Sequence, residues 1–428
     1  MKRVIIGLFG LCFVSNIFGQ ADSISFLISN YDYKRALELV NIKLHDNSEP
    51  DLLYTKVTIF KAIHKVDSAI NCLEKLHQQD TFSVKYIVEL ATSYQTLGNF
   101  KKAIDYMNRA LQLQENNLFL IQQTGMMHYL ANNYTNALEY YSTAYKIDAS
   151  FYNCSQMAKT YDKLEMTDSA ILYFQKSLEN NSTDFYSAHR LATLLFKQLK
   201  ADEALLVTEN YLIYDSINLP MLRLNGQLYF SIEEYDQSLL NFDKCVALND
   251  SSDFTIRHLG YNYYKKEHYG KAVEYLEKAY ASDTLNADLC YMTGVSYIKG
   301  IYPYRGIDYL NKTLKIITPD PQFIAAIYQI IGRVYADLSS FDNALTMYQN
   351  AYRSSPKDTL LPFKIARIYD RMNNHGLAVK YYQIFLTLRP DKKENSDAKE
   401  GLQLSYFDYT IKRLNEINEQ QFWESKEK

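Results

Sequence analysis

Apolar residues recur at helical spacing along this chain, in short paired stretches. Leu90, Ala91, Tyr94 and Leu97 share one face of a first stretch; Ala103, Ile104, Met107, Ala110 and Leu111 share one face of the next. A period near 3.6 marks an amphipathic helix. Polar turns such as Gly98-Asn99, Glu233-Glu234 and Ser339-Ser340 separate the stretches. Two helices of about a dozen residues joined that tightly must run antiparallel.

The pair itself repeats. A small residue returns at Ala36, Ala69, Ala103, Ala137, Ala170, Ala204, Ser238, Ala272, Gly306, Ala344 and Ala378, in steps of 33 or 34 with one step of 38. A second series leads it by twelve residues: Val57, Ala91, Gly125, Ala158, Ala192, Gly226, Gly260, Gly294, Gly332 and Ala366. Three residues later stands a ring position, among them Phe60, Tyr94, His128, Tyr161, Tyr263, Tyr297 and Tyr369. Small residues are required where two helices approach closely, and rings fill the wider space beside that contact. One pair cannot bury its apolar surface alone, so each stacks on the next.

This pattern resembles the tetratricopeptide repeat, whose signature is Leu-Gly-x2-Tyr, then Ala-x3-Phe, then Pro. Here Leu259-Gly260-x2-Tyr263 precedes Ala272-x3-Leu276, and Ile331-Gly332-x2-Tyr335 precedes Ala344-x3-Tyr348 and Pro356. Ala170-x3-Phe174, Ala137-x3-Tyr141 and Ala378-x3-Tyr382 with Pro390 also match. The resemblance spans about residues 23–392. It implies an all-α, right-handed α-solenoid of about eleven stacked antiparallel helix pairs with a C-terminal capping helix. The expected divisions are residues 21–320 for repeats 1–9, 321–392 for repeats 10–11 after a Pro-containing insertion, and 393–428 for capping helix and tail.

Departures from the signature locate irregularities. The closing proline survives only in the last two repeats, so most turns between pairs must rely on Asn, Asp and Ser. Four extra residues near Thr318-Pro319-Asp320-Pro321 predict a stop to the preceding helix and a local change of direction. The first repeat is degenerate, as terminal repeats often are. Asp397-x-x-Glu400 resembles a capping box. Leu404, Phe407, Ile411 and Leu414 then share a face suited to covering the last repeat, with Lys412, Arg413, Glu416 and Glu419 left in water.

Residues 1–20 read as a secretory signal peptide: Lys2 and Arg3, an apolar run over 4–18, then Gly19-Gln20-Ala21. A retained anchor is the alternative, but the run is shorter than the roughly 20 apolar residues of a spanning helix. Cleavage would leave no direct membrane span and place the chain in the periplasm, or peripheral to the envelope, of a Gram-negative bacterium. Net charge is −3, from 46 Lys and Arg against 49 Asp and Glu, which excludes an electrostatic argument for nucleic acid. Cys72, Cys154, Cys245 and Cys290 never fall in neighbouring repeats, so four buried free thiols are expected in place of disulfides.

No catalytic, cofactor-binding or metal-ligating constellation emerges. The chain has no GxSxG, HExxH, CxxC or phosphate-cradling glycine loop. His128 occupies a ring position and reads as core.

Binding is the more arguable chemistry. In the family this chain resembles, the concave groove is lined by positions 2, 5, 9, 12 and 13 of each first helix. Carried over, these give Tyr186, His189, Arg223, Phe230, Arg257, Tyr261, Tyr264, Lys265, Tyr291 and Lys299, then Arg333, Arg367 and Arg371. Aromatic and Arg side chains anchor interfaces most often, and Arg on such a wall suits carboxylate-bearing segments. The alternative is a solvated row whose arginines pair with neighbouring acids. The ninth positions carry no Asn, so the Lys/Asn carboxylate clamp of some relatives is not expected. The resemblance thus implies a scaffold or adaptor holding a protein partner along its concave face, in an envelope, secretion or surface complex. A periplasmic sensory module that binds a soluble ligand and signals through a membrane partner is the second expectation. The oligomeric state stays open.

Overall fold

The computed structural model describes residues 23–46, 49–317, 320–388 and 398–426, without the side chains of 46, 398–404 and 421–426. The signal-peptide reading and the Asp397 capping box therefore lie outside what is described. The described residues form 23 helices and no strand. They divide into two compact units between Ser216 and Ile217.

The first unit holds six helix pairs: Ile24–Ser29 with Tyr33–Asp46, Pro50–Ala62 with Val66–Gln79, Val84–Thr96 with Phe100–Leu113, Leu118–Leu130 with Tyr134–Ile147, Phe151–Lys163 with Thr167–Asn180, and Phe185–Lys197 with Ala201–Tyr214. The second holds five: Leu219–Ser231 with Tyr235–Ala247, Asp253–Lys265 with Tyr269–Ser282, Ala287–Lys299 with Pro303–Ile316, Pro321–Asp337 with Phe341–Ser354, and Leu361–Arg371 with His375–Thr387. The helix Ala398–Lys426 follows. Within each unit every helix packs on its chain neighbours. In the second unit, the first helix of pair 8 also touches the first helices of pairs 7 and 9. The first helices therefore line the inner side of that stack.

Each pair closes the same way. The residue after the first helix's cap turns left-handed, and the next N–H bonds back to the carbonyl of the ring residue: Asn99 N to Tyr94 O at 2.9 Å, Asn133 N to His128 O at 2.8 Å, His268 N to Tyr263 O at 2.9 Å. This is a Schellman closure, which satisfies carbonyls that the helix end orphans. Glycine occupies the left-handed position only at Gly98; elsewhere Asn, Glu, Ser and even Ile301 stand there. Turns between pairs use the polar caps the sequence predicts. Asn117, Asp184, Asn218, Ser252 and Asn286 each accept from a backbone N–H three residues on.

The small-residue series meet at the helix crossings. Ser238 Oγ donates to the Gly226 carbonyl at 2.8 Å, and Gly260 leaves room for Leu276. Six ring positions stack on a second ring twelve residues later, among them Tyr94 on Tyr106 at 5.7 Å, His128 on Tyr140 at 5.3 Å, Tyr161 on Tyr173 at 5.4 Å and Tyr297 on Tyr309 at 5.7 Å. That second series supplies six of the 39 tyrosines. Cys72, Cys154, Cys245 and Cys290 are buried and unpaired, and burial pushes the Cys245 thiol up to about 11.

The helix stop expected ahead of the prolines is present, and the C-terminal stripe needs correction. The helix Pro303–Ile316 ends before the prolines, and the four extra residues lengthen the next helix: Pro321–Asp337 runs 17 residues where the first helices of pairs 7, 8 and 9 run 13. Pro321, at the helix start where its missing N–H costs nothing, allows that extension. In the C-terminal helix the buried stripe is Phe407, Thr410 and Ile417, while Ile411 is exposed. Arg413 does not simply face water: its guanidinium holds both Asp370 oxygens at 2.8 and 3.0 Å. That contact orients the helix so that Phe407 stacks on Phe385, 4.2 Å between ring centres.

Candidate functional site

The inner row divides by what each side chain already holds. Arg223 forks onto Asp250, Nε at 2.7 Å and Nη2 at 2.6 Å. Asp250 is buried and also accepts from Thr255 Oγ1 at 2.5 Å and Ser252 N at 3.0 Å. With the guanidinium beside it, the Asp250 carboxyl is held well below the ordinary carboxylate range. Arg257 reaches Asp253 at 2.6 Å and Asp283 at 3.7 Å. Arg190 pairs with Asp162 in the same manner, at 2.6 and 2.9 Å. These arginines tie one helix pair to the next.

The aromatic members of the row are half-buried. Phe230 lies 6.3 Å from Tyr261 across successive first helices, and Tyr291 meets Phe323 edge-on at 5.1 Å. Burial pushes the Tyr264 hydroxyl up to about 12. Lys265 and Lys299 are exposed, with no ion pair among the described residues. In the first unit, His189 packs on Phe185 at 5.5 Å, and burial lowers its pKa. Lys159 sits 4.4 Å over the ring of Tyr186.

Arg333 and Arg367 differ from Arg190, Arg223 and Arg257. Both are exposed and neither has a carboxylate within ion-pair distance among the described residues. They converge, with Arg371, on a cavity of about 430 Å³. Arg371 lies 4.7 Å over the Phe341 ring and donates to the Ala336 carbonyl at 3.3 Å. Sequence reasoning missed Lys364, Phe363, Tyr348 and Tyr406, which also line it. Lys364, Arg367 and Arg371 stand at i, i+3 and i+7 on one helix, and that basic stripe is a signal that could have found Lys364.

Among the described residues no group of His, Cys, Asp or Glu is placed to hold a metal ion. No described helix is long and apolar enough to cross a membrane.

Profiles of the tetratricopeptide repeat match residues 84–117, 152–184, 258–284, 325–358 and 360–396. The chain carries tetratricopeptide repeats, of the kind that supports protein–protein interaction scaffolds. No curated protein matches it. Similar solved structures include YrrB, described as a TPR protein with an unusual peptide-binding site, at 21% identity over 44% of this chain and 95% of that one, TM-score 0.40. Another is pilF of Pseudomonas aeruginosa, at 20% identity over 48% and 94%, TM-score 0.39. Yeast Tom70 is similar at 12% identity over 94% and 96%, TM-score 0.33.

Proposed function

We propose that this chain is an exported scaffold or adaptor, holding a protein partner along the inner, first-helix face of its second unit. Its setting would be an envelope, secretion or surface complex, and its work binding rather than catalysis. The observation that carries the reading is a surplus. Tyr261, Tyr264 and Tyr291 are half-exposed and Lys265 and Lys299 hold no ion pair among the described residues, although Arg223 and Arg257 on the same face are already engaged. Rigid aromatic surface beside free cations is what interface anchors are made of. Export rests on Lys2, Arg3 and the apolar run that follows them.

Crosslinking in cells followed by recovery from the envelope fraction tests this reading. Wild type is compared with a variant carrying Tyr261→Ala, Tyr264→Ala, Lys265→Glu and Lys299→Glu, after checking equal helicity. Arg223 is left intact, because a glutamate there would face buried Asp250 and unsettle the stack. A partner recovered with wild type and lost from the variant supports the inner face. Identical recoveries would remove that face from the proposal. A sensory role is the second reading, favoured by the cavity of about 430 Å³; ligand-dependent thermal stabilisation would mark it.

A further inference from the structure

The end of the second unit gathers positive charge that the fold does not use. The cavity of about 430 Å³ is lined by the first helix of pair 10, Tyr348 of its second helix, the first helix of pair 11 with Leu360 before it, and Tyr406 of the C-terminal helix. Arg333, Lys364, Arg367 and Arg371 face it, and Asp337 is the one carboxylate among its lining residues. Elsewhere the chain neutralises comparable cations: Arg190, Arg223, Arg257 and Arg413 each hold an aspartate at 2.8 Å or less. Arg333 and Arg367 hold none among the described residues. Lys364 is half-buried, and its ammonium donates only to the neutral Gln329 Oε1. Desolvation pushes its pKa down, and a nearby anion would offset that cost.

The hollow is elongated. A neighbouring cavity of about 290 Å³ shares Arg333, Tyr348 and Lys364 and continues past Gln329 and Ile330. Another, of about 390 Å³, shares Arg371 and continues along Tyr409 and Lys412, and its carboxylates, Asp370 and Glu416, are already held by Arg413. The cations thus border three adjoining hollows, a layout that suits an extended ligand. Phe363 and Tyr348 lie in the wall of the first. Guanidinium forks bind carboxylates bidentately, and apolar wall between them takes the side chains that separate the acids.

We propose that this trough is the docking site for an extended, carboxylate-rich segment of a partner protein, with Arg333 and Arg367 as its principal carboxylate ligands. The proposal rests on the scaffold reading but concerns a different stretch of the stack from Tyr261 and Lys265, so the two fail separately.

The test uses the purified chain and a fluorescein-labelled peptide of alternating Glu and Leu, with fluorescence anisotropy as readout. A peptide of alternating Gln and Leu is the neutral control. The acidic peptide is expected to bind at least about tenfold more tightly, and more weakly as salt rises. Arg333→Glu with Arg367→Glu, both exposed positions, is expected to lose at least about tenfold in affinity with unchanged helicity. Arg333→Lys with Arg367→Lys should fall between, since charge remains and the fork is lost. Lys146→Glu in the first unit should leave binding unchanged. Equal binding of the two peptides, no binding of either, or indifference to the charge reversal would overturn the proposal. Displacement of the labelled peptide by free glutamate or phosphate as effectively as by unlabelled peptide would overturn it too, marking a small-anion pocket. A cellular partner lost on mutating Tyr261 and Lys265 but retained in the Arg333→Glu, Arg367→Glu variant would leave the scaffold standing without this site.

Discussion

A Cβ placed on Gly306 would lie 2.6 Å from the carbonyl oxygen of Gly294 and 2.5 Å from Ile298 Cγ1. The two helices of pair 9 therefore cross backbone to backbone, and the oxygen has no flexible side chain to yield in its place. Gly306→Ala should destabilise the second unit by about 1–3 kcal/mol, read as a lower urea midpoint. Gly270, also helical, meets nothing within 4 Å. Gly270→Ala should therefore stabilise by up to about 1 kcal/mol through helix propensity alone. Equal effects of the two substitutions would refute the crossing.

Ile301 carries a left-handed backbone with φ at 75°, a poor fit for a β-branched residue, and its side chain is 85% exposed. Nothing is lost from the core by removing that side chain. Ile301→Gly should raise the thermal midpoint, corresponding to about 1 kcal/mol, because glycine adopts this conformation without the Cβ clash. Gly300→Ile, one position earlier, should destabilise, since its Cβ would meet the Ser296 carbonyl at 3.0 Å.

Much of this architecture was legible in the sequence because backbone geometry dictates it. Gly226, Gly260 and Gly294 sit where a helix crossing tolerates nothing larger, so their period exposes the pairs. The second ring series was harder to see. Tyr106, Tyr140, Tyr173 and Tyr309 obey it, but Val207, Asn241 and Met347 interrupt it, and a half-occupied period looks like composition. The candidate site was legible as a row of residue types and not as a set of free groups. Arg223 and Arg333 occupy comparable helical faces, yet Arg223 is consumed by Asp250, 27 residues away across a turn between pairs. Pairing at that distance depends on how one turn places one carboxylate, which no periodicity records. The extra four residues before Arg333 were visible as a count, but their addition to the start of a helix was not.

Asp250 provides a pH-dependent check. Its folded pKa is depressed by Arg223 and by Thr255 and Ser252, whereas unfolded aspartate titrates near about 3.9. A depressed carboxylate contributes stability that is fully present above the unfolded value and is lost as pH falls towards the folded one. Asp250→Asn should cost on the order of 2 kcal/mol at neutral pH, since it removes the charge that Arg223 is held against. The gap between wild type and variant should close progressively below about pH 4. Denaturant midpoints at neutral and acid pH measure both. A gap independent of pH would mean that the aspartate acts by packing and not by charge.

The last prediction concerns the C-terminal helix, which is held to pair 11 by two independent contacts. Phe407 is fully buried and stacked on Phe385, and Arg413 grips Asp370, which also accepts from Tyr382 at 3.3 Å. In a stack stabilised by nearest-neighbour contacts, loss of an end element should be felt locally and not globally. Phe407→Ala should cost about 3–5 kcal/mol of docking energy. Hydrogen exchange should then become fast over 405–420 and rise moderately over His375–Thr387, while the first unit keeps its protection. Arg413→Ala should produce the same pattern more weakly, because Phe407 still anchors the helix. Tyr406 leaves the basic cavity when the helix undocks. Phe407→Ala should therefore weaken binding of the acidic peptide although no cation has been touched, and undiminished binding would show that Arg333 and Arg367 suffice without the helix.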